Sequence, residues 1–362
     1  MSGVWIAEFA ALHAWCVAHS DAVLGLDTEF MRRNTFYPQL ALIQIAANGD
    51  RALVDPLVFD ASPALCTLID GKLCVMHSAS EDMEALGPLL DGATLRLFDT
   101  QIAAAMCGMG FGISYQRLVA ELLGVDIPKD ETRSDWLQRP LSAAQYDYAQ
   151  QDVAHLHALH ALLDARLRER DRLGWLVEDC ARLAARLHRD DGNPHPQRGF
   201  RNAAAWPREA QARLRRALRW RELAARTLDK PRPWLLDDAA ALSLAQQPPA
   251  SSNELFERTR GLRALRSAQR AELFAVLQAP VTEDELAQLA PIVPAPQGEA
   301  KTALTAMKQA ADTLALQLDL PAGLLCPRRA LEEYVVTRVW PESLAGWRWG
   351  LLESVLGPLL PD

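Results

Sequence analysis

Three short apolar runs near the start of the chain limit what it can fold into more than any other feature. Ala22–Phe30 reads AVLGLDTEF, Gln39–Ala47 reads QLALIQIAA, and Arg51–Asp55 reads RALVD. Each is short and rich in branched or apolar side chains, the kind that pack on a pleated surface. Asn48-Gly49-Asp50 separates the last two runs. Asn-Gly between apolar runs signals a tight hairpin, because both turn positions must take positive φ. Leu73–His77 and Arg96–Asp99 are two further strand-like runs, and they alternate with helical stretches. Strands that first meander and later alternate with helices predict a mixed α/β sheet.

The rest of the chain reads as helical. From Ser142 to about Arg189 apolar residues recur at helical spacing, and Asp190–Gln197 (DDGNPHPQ) is a polar, proline-bearing loop. From Trp206 onward only helices and connectors are expected. A weak internal repeat runs through them. Leu228-Asp229-Lys230-Pro231 with Leu235-Leu236 and Ala241-Leu242 is echoed by Leu318-Asp319-Leu320-Pro321 with Leu324-Leu325 and Ala330-Leu331. Each copy ends in a glycine and a basic, apolar helix, Gly261–Phe274 and Gly346–Leu356, which predicts two related small helical bundles. Met1–Ser20 superficially resembles a signal peptide, but it lacks a basic start and Glu8 interrupts it, so an amphipathic first helix is expected. No apolar run approaches the roughly 20 residues of a membrane span, and no membrane partner is expected.

Charge is unevenly placed. The formal net charge is −8 over 362 residues. Residues 1–200 carry 17 Lys/Arg against 27 Asp/Glu, whereas residues 201–280 carry 15 against 8. An acidic half followed by a basic module suits a metal-dependent enzyme acting on nucleic acid, with a separate binding arm. The six cysteines are scattered with no CxxC pair, which argues against a zinc site or a disulfide scaffold and fits a cytoplasmic protein.

Three acidic motifs carry the chemistry. Asp27 and Glu29 lie two apart at the end of an apolar strand, so both point to one face. Asp82 follows a buried strand in His77-Ser78-Ala79-Ser80-Glu81-Asp82 and opens a helix. Tyr148 and Asp152 lie four apart, which puts phenol and carboxylate on one helix face. Hard divalent ions take carboxylate oxygens, and a two-ion phosphodiesterase needs such a cluster without His or Cys. His155, His157 and His160 are expected to pack along or outside their helix.

In order and setting, the DxE strand, the HxAxxD turn and the YxxxD helix resemble the DEDDy 3′→5′ exonuclease superfamily. LDTEFMRRNTFYPQLALIQIA at 26–46, HSASEDMEAL at 77–86 and DETRSDWLQRPLSAAQYDYAQQDVAHL at 130–156 narrow the likeness to ribonuclease D. The C-terminal helices resemble the HRDC module, the second copy less closely. The resemblance implies a ribonuclease H-like sheet over 1–170, a helical connector at 171–205 and an HRDC bundle at 206–280. A linker at 281–299 and a divergent second bundle at 300–362 would follow.

The resemblance also implies two divalent ions, Mg²⁺ or Mn²⁺, and site roles. Asp27 would bridge both ions, Glu29 and Asp152 would complete one shell, and Asp82 would serve the other ion. Tyr148 would orient the attacking water. RNA with a single-stranded 3′ end, such as a tRNA precursor, is the implied substrate. Phe30, Met31 and the loop Thr132–Trp136, with Ser134 and Trp136, are candidates to touch its terminal bases. Arg213, Arg215, Arg216 and Arg219 on one predicted helix, and Arg263, Arg266 and Arg270 on another, are candidates for its backbone. A DNA exonuclease would use the same acids. A catalytically silent nucleic-acid-binding protein could share the fold, although the intact acid set argues against it.

Overall fold

Six strands form one sheet: β1 (Val4–Ile6), β2 (Leu24–Met31), β3 (Gln39–Ala47), β4 (Asp50–Val54), β5 (Lys72–Met76) and β6 (Leu95–Asp99), in the order β1-β4-β3-β2-β5-β6. They come from a computed structural model that describes residues 3–90, 92–127, 134–185 and 192–361. Asn48 and Gly49 have φ of 50° and 89°, the paired positive angles of the tight turn, and they set Ala47 opposite Asp50. β2, β3 and β4 are antiparallel neighbours, whereas β1 on β4, β5 on β2 and β6 on β5 run parallel. The sheet is therefore mixed, as the run order predicts.

β1 was not expected. The reading of a helix over Met1–Ser20 is corrected: Val4–Ile6 forms an edge strand and the helix occupies Phe9–Ala18. Three residues carry no usable periodicity, and pairing with β4 alone makes them a strand.

Alternation along the strands divides the sheet into two faces. Leu24, Leu26, Ile43, Ile45 and Val54 point into the main core. Leu42 and Leu53 point the other way, against Ala149 of the helix Ala143–Ala154 and against Trp136. That helix lies across β2, β3 and β4, and it brings Tyr148 and Asp152 over the acids of β2.

The two C-terminal bundles share one plan. A long helix (Arg208–Leu228, Gly298–Gln317) is followed within two residues by an aspartate in the left-handed region, Asp229 with φ 48° and Asp319 with φ 49°. A four-residue helix follows (Arg232–Leu235, Ala322–Leu325), then a longer one (Asp238–Gln246, Arg328–Thr337), and a final helix closes each unit (Ser267–Gln278, Trp347–Leu356).

They differ in attachment. The first bundle has its own core, including Leu214, Leu218, Leu244 and Leu273. It meets the sheet domain where the Asp229 carboxylate accepts the backbone N–H groups of Phe36 at 2.9 Å and Tyr37 at 3.1 Å. Arg226 and Arg232 cover the Phe36 ring there. The second bundle shares the main core: Met307, Leu325 and Leu352 join the same cluster as Leu24 and Leu97. Trp175 and Trp347 stack with centroids 4.6 Å apart, and Arg348 grips Asp179 through two bonds of 2.7 and 2.8 Å.

The segment 281–299, expected as a linker, carries the helix Glu283–Ala287 and buries Leu289 and Ile292. Its prolines forbid long regular structure but not packing. Among the described residues all six cysteines are free, and no helix is long and apolar enough to cross a membrane.

Candidate catalytic site

β2 delivers Asp27 and Glu29 to one face of the sheet, and the register with β3 shifts just after them, between Glu29 and Phe30. A bulge of this kind bends the strand and re-aims the side chains beyond it. The helix Ala143–Ala154 starts from a capping box, in which the Ser142 hydroxyl and the Gln145 side chain satisfy each other's backbone N–H groups. That fixed start sets the rotation of the helix and places Asp152 above β2. Asp27, Glu29 and Asp152 each offer a carboxylate oxygen, and these oxygens all lie within 4.8 Å of one another.

Asp82 stands apart from that trio. It is 7% exposed in the first turn of the helix Ser80–Leu86, and its Oδ1 accepts the Thr28 hydroxyl at 2.6 Å. Three sequence motifs thus meet at one place, with Asp82 on its edge.

The electrostatics are those of an uncompensated acid cluster. Burial, then the charges of Asp82, Asp152 and Glu29, raise Asp27 well above the carboxylate range. Burial, then the charges of Asp152 and Asp82, push Glu29 up to about 9. Burial pushes Asp152 up to about 7 and Asp82 up to about 6, in each case opposed by a hydrogen bond, from Tyr148 and Thr28 respectively. Among the described residues no cation offsets the trio: Arg32 pairs with Glu84, and Asp152 keeps a buried Oδ2 with no hydrogen-bond partner. Buried like charges at this spacing are costly unless positive charge joins them. The donor set is all oxygen, suited to hard divalent cations. The residues fit such ions.

The Tyr148 hydroxyl hydrogen-bonds the Asp152 carboxylate, and the phenol is raised above its ordinary range, first by burial and then by Asp152. His157 and His160 pack along their helix, as expected. His157 Nε2 donates to the Val23 carbonyl at 2.8 Å, and His160 meets the Phe98 ring edge-on.

Several substrate-contact expectations need correction. Trp136 is 2% exposed in a cluster with Leu42, Leu53 and Ala149 and so serves the core, whereas Met31 is half-buried and packs against that cluster. Phe30 is half-buried and joins none of the apolar clusters. Ser134 is half-buried, while Thr132 and Arg133 lie outside the described residues, as do Asp190 and Asp191 of the other predicted loop. Arg216 makes an ion pair with Glu285 and donates to the carbonyls of Val276, Ala279 and Pro280. Arg213 donates to the Ala245 carbonyl at 3.0 Å. Both hold the bundle together. Arg263 and Arg266 are exposed, the former over the Trp234 ring.

Sequence reasoning missed most of the groups that hold the acids. The Asp99 carboxylate accepts from Ser78 and Ala79 N–H, fixing the turn before Asp82, and also caps the next helix at Gln101 and Ile102. The His77 ring bridges Thr100 Oγ1 and the Ile113 carbonyl. The Tyr115 hydroxyl donates to the Gln151 carbonyl at 3.0 Å and accepts the His155 N–H, stapling the break just after Asp152. Of these, His77 already stood in the HxAxxD motif, Asp99 had a local signal as an aspartate where a strand ends and a helix begins, and Tyr115 had none.

Known proteins bear on this geometry. Residues 4–168 match a family described as 3′-5′ exonuclease. A ribonuclease D of Xanthomonas oryzae pv. oryzae is 42% identical over 98% of this chain and 98% of its own. A ribonuclease D of Shewanella is 32% identical over 98% of this chain and 93% of its own. The crystal structure of Escherichia coli RNase D, described as an exoribonuclease involved in structured RNA processing, superposes with a TM-score of 0.87 at 28% identity over 99% of both chains. The acid site with Tyr148 beside it, on a mixed sheet followed by paired helical bundles, thus sits in a chain that belongs to the ribonuclease D family of 3′→5′ exoribonucleases.

Proposed function

We propose that this exoribonuclease releases nucleoside 5′-monophosphates from RNA 3′ ends at a site for two divalent ions, Mg²⁺ or Mn²⁺. The observation that carries the reading is the trio of carboxylates within 4.8 Å, with no cation of the described residues offsetting it. Asp27, Glu29 and Asp152 would hold one ion. Asp27 would reach the second as well, with Asp82 serving it from the edge of the site. Bound ions would compensate the charge that builds on the phosphodiester and on the departing 3′ oxygen.

The protein's own groups do the rest. The Tyr148 proton is engaged by Asp152, so the phenol oxygen has lone pairs to hold a water for in-line attack on phosphorus. Attack forms the new P–O bond as the bond to the ribose 3′ oxygen breaks. The water gives up its proton to solvent, the departing 3′ oxygen takes one from solvent, and the shortened chain keeps a free 3′-OH. Phe30, at the bulge beside the acids, would stack on a terminal base, and the exposed Arg263 and Arg266 would meet the backbone.

The implied substrates are single-stranded 3′ ends of tRNA precursors and other stable RNAs, in a reducing cytoplasm that suits six free cysteines. A 5′-labelled tRNA precursor with a 3′ trailer should shorten stepwise with Mg²⁺ and stop in chelator. Matched DNA should be degraded much more slowly. Faster loss of the DNA would favour a DNA exonuclease, and no loss of either would leave a silent binding protein.

A further inference from the structure

Gln44 is the odd residue of β3. Every side chain from Leu40 to Ala47 is apolar except this amide, which is fully buried. Neither its Nε2 nor its Oε1 has a hydrogen-bond partner among the described residues. Buried side-chain amides nearly always find a partner, because desolvation without one is costly. An unbranched apolar residue would fill the same space with no polar atoms to satisfy. The amide therefore points to something.

Register says what it faces. Gln44 lies directly opposite Asp27 across the antiparallel β2–β3 pair, so both side chains stand on the same face, with Cβ atoms about 4.5–5.5 Å apart. Its other neighbours on that face are apolar: Leu42 two residues back, Ala46 two residues on, and Leu53 opposite on β4. Helix Ala143–Ala154 closes the space above with Ala149. The polar groups of that row belong to the acid site. Asp152 Oδ2, also buried and unpartnered, is one of them.

We propose that Gln44 is a positioning residue of the acid site, its side-chain NH₂ donating to the Asp27 carboxylate when the site holds its divalent ions. The inference rests on the reading of Asp27, Glu29 and Asp152 as ion ligands. A carboxylate that bridges ions needs its orientation set from behind, and outer partners of this kind commonly tune ion affinity by about 10–100-fold. Gln44 supplies a donor from the side of Asp27 that the apolar sheet encloses.

The test is Mn²⁺ titration by calorimetry on the full-length protein without RNA, for wild type and Gln44→Met. Met has nearly the shape of Gln and removes the orphaned polar atoms. The variant should therefore melt in chelator at or above the wild-type temperature while binding Mn²⁺ about 10–100-fold more weakly. On RNA its kcat should fall and its KM stay constant. Mn²⁺ affinity within threefold of wild type would overturn the proposal. Should the Met variant not fold, Gln44→Leu also lacks the donor and adds no charge or ion ligand, and is read in the same way. A crystal of the wild-type protein grown with Mg²⁺ reads the contact without any variant. Nε2 within about 3.2 Å of an Asp27 oxygen is expected, and a separation beyond hydrogen-bond reach overturns it. If wild type itself binds no Mn²⁺, the reading of the acids falls; if wild type and variant bind alike, only the role of Gln44 falls.

Discussion

The acid site and the first helical bundle treat charge in opposite ways. At the site, Asp27, Glu29 and Asp152 crowd together with no described cation offsetting them, and an Asp152 oxygen goes unpartnered. In the bundle, arginines are paired instead, and one of them, Arg216, was expected to reach out for RNA. Arg216 takes Glu285, Arg221 takes Asp238, and Arg226 and Arg232 share Glu222. Buried charge left unpaired is tolerated where a ligand completes it, whereas paired charge is part of the scaffold. Net charge of a segment therefore overstates what it offers to a phosphate backbone. Only arginines left outward, Arg263 and Arg266 among them, are free to offer charge to it.

The sharpest way to break this contrast is to remove an unpaired acid. Asp27→Ala should lower kcat by at least about 10³-fold, since the site's charge compensation depends on it. In chelator the variant should melt at or above the wild-type temperature, because like charge has been relieved. Cleavage within tenfold of wild type on a 5′-labelled RNA would end the assignment.

Tyr148→Phe should cost roughly 10²–10⁴-fold in kcat with Mn²⁺ affinity kept, if the hydroxyl positions water and holds no ion as proposed. A loss under threefold would make the ring simple packing against Trp136.

On the paired side, Arg216→Ala should destabilise the protein by about 2–3 kcal/mol, since it strands Glu285 and three carbonyls. RNA affinity measured at a temperature where the bundle stays folded should hardly move. A large affinity loss with unchanged melting would reverse the interpretation of this arginine.

The unpaired acids also set a pH dependence. Glu29 near 9 and Asp152 near 7 lie above the usual unfolded value of about 4, so the folded, ion-free protein binds more protons than the unfolded chain between those limits. Its stability should fall as pH rises through that window. Mg²⁺ should raise the melting temperature more at pH 8 than at pH 5, and equal shifts would contradict the cluster. The smallest effect belongs to the outward arginines. Arg263→Ala and Arg266→Ala should each reduce the slope of log affinity against log salt by about 0.7. Unchanged slopes would mean that this face does not touch the backbone.

Much of this molecule was legible residue by residue. The Asn48-Gly49 turn, the branched runs of β2 and β3 and the spacing of Tyr148 and Asp152 are local signals, and local signals survive in a linear chain because they depend on φ preference and periodicity. The repeat of the C-terminal bundles was legible too, although the left-handed turn at Asp229 and Asp319 was not. What the sequence could not say depends on partners far along the chain. Three residues became β1 only by pairing with β4. Trp136 became core because Leu42, Leu53 and Ala149 converge on it. Arg216 became scaffold because Glu285 folds back to it. The second bundle, so like the first in order of helices, joined the main core through Trp347 and Arg348 while the first kept its own. Residue type and spacing specify what a segment can do locally, but burial and charge pairing belong to the neighbours, and only the folded chain chooses those.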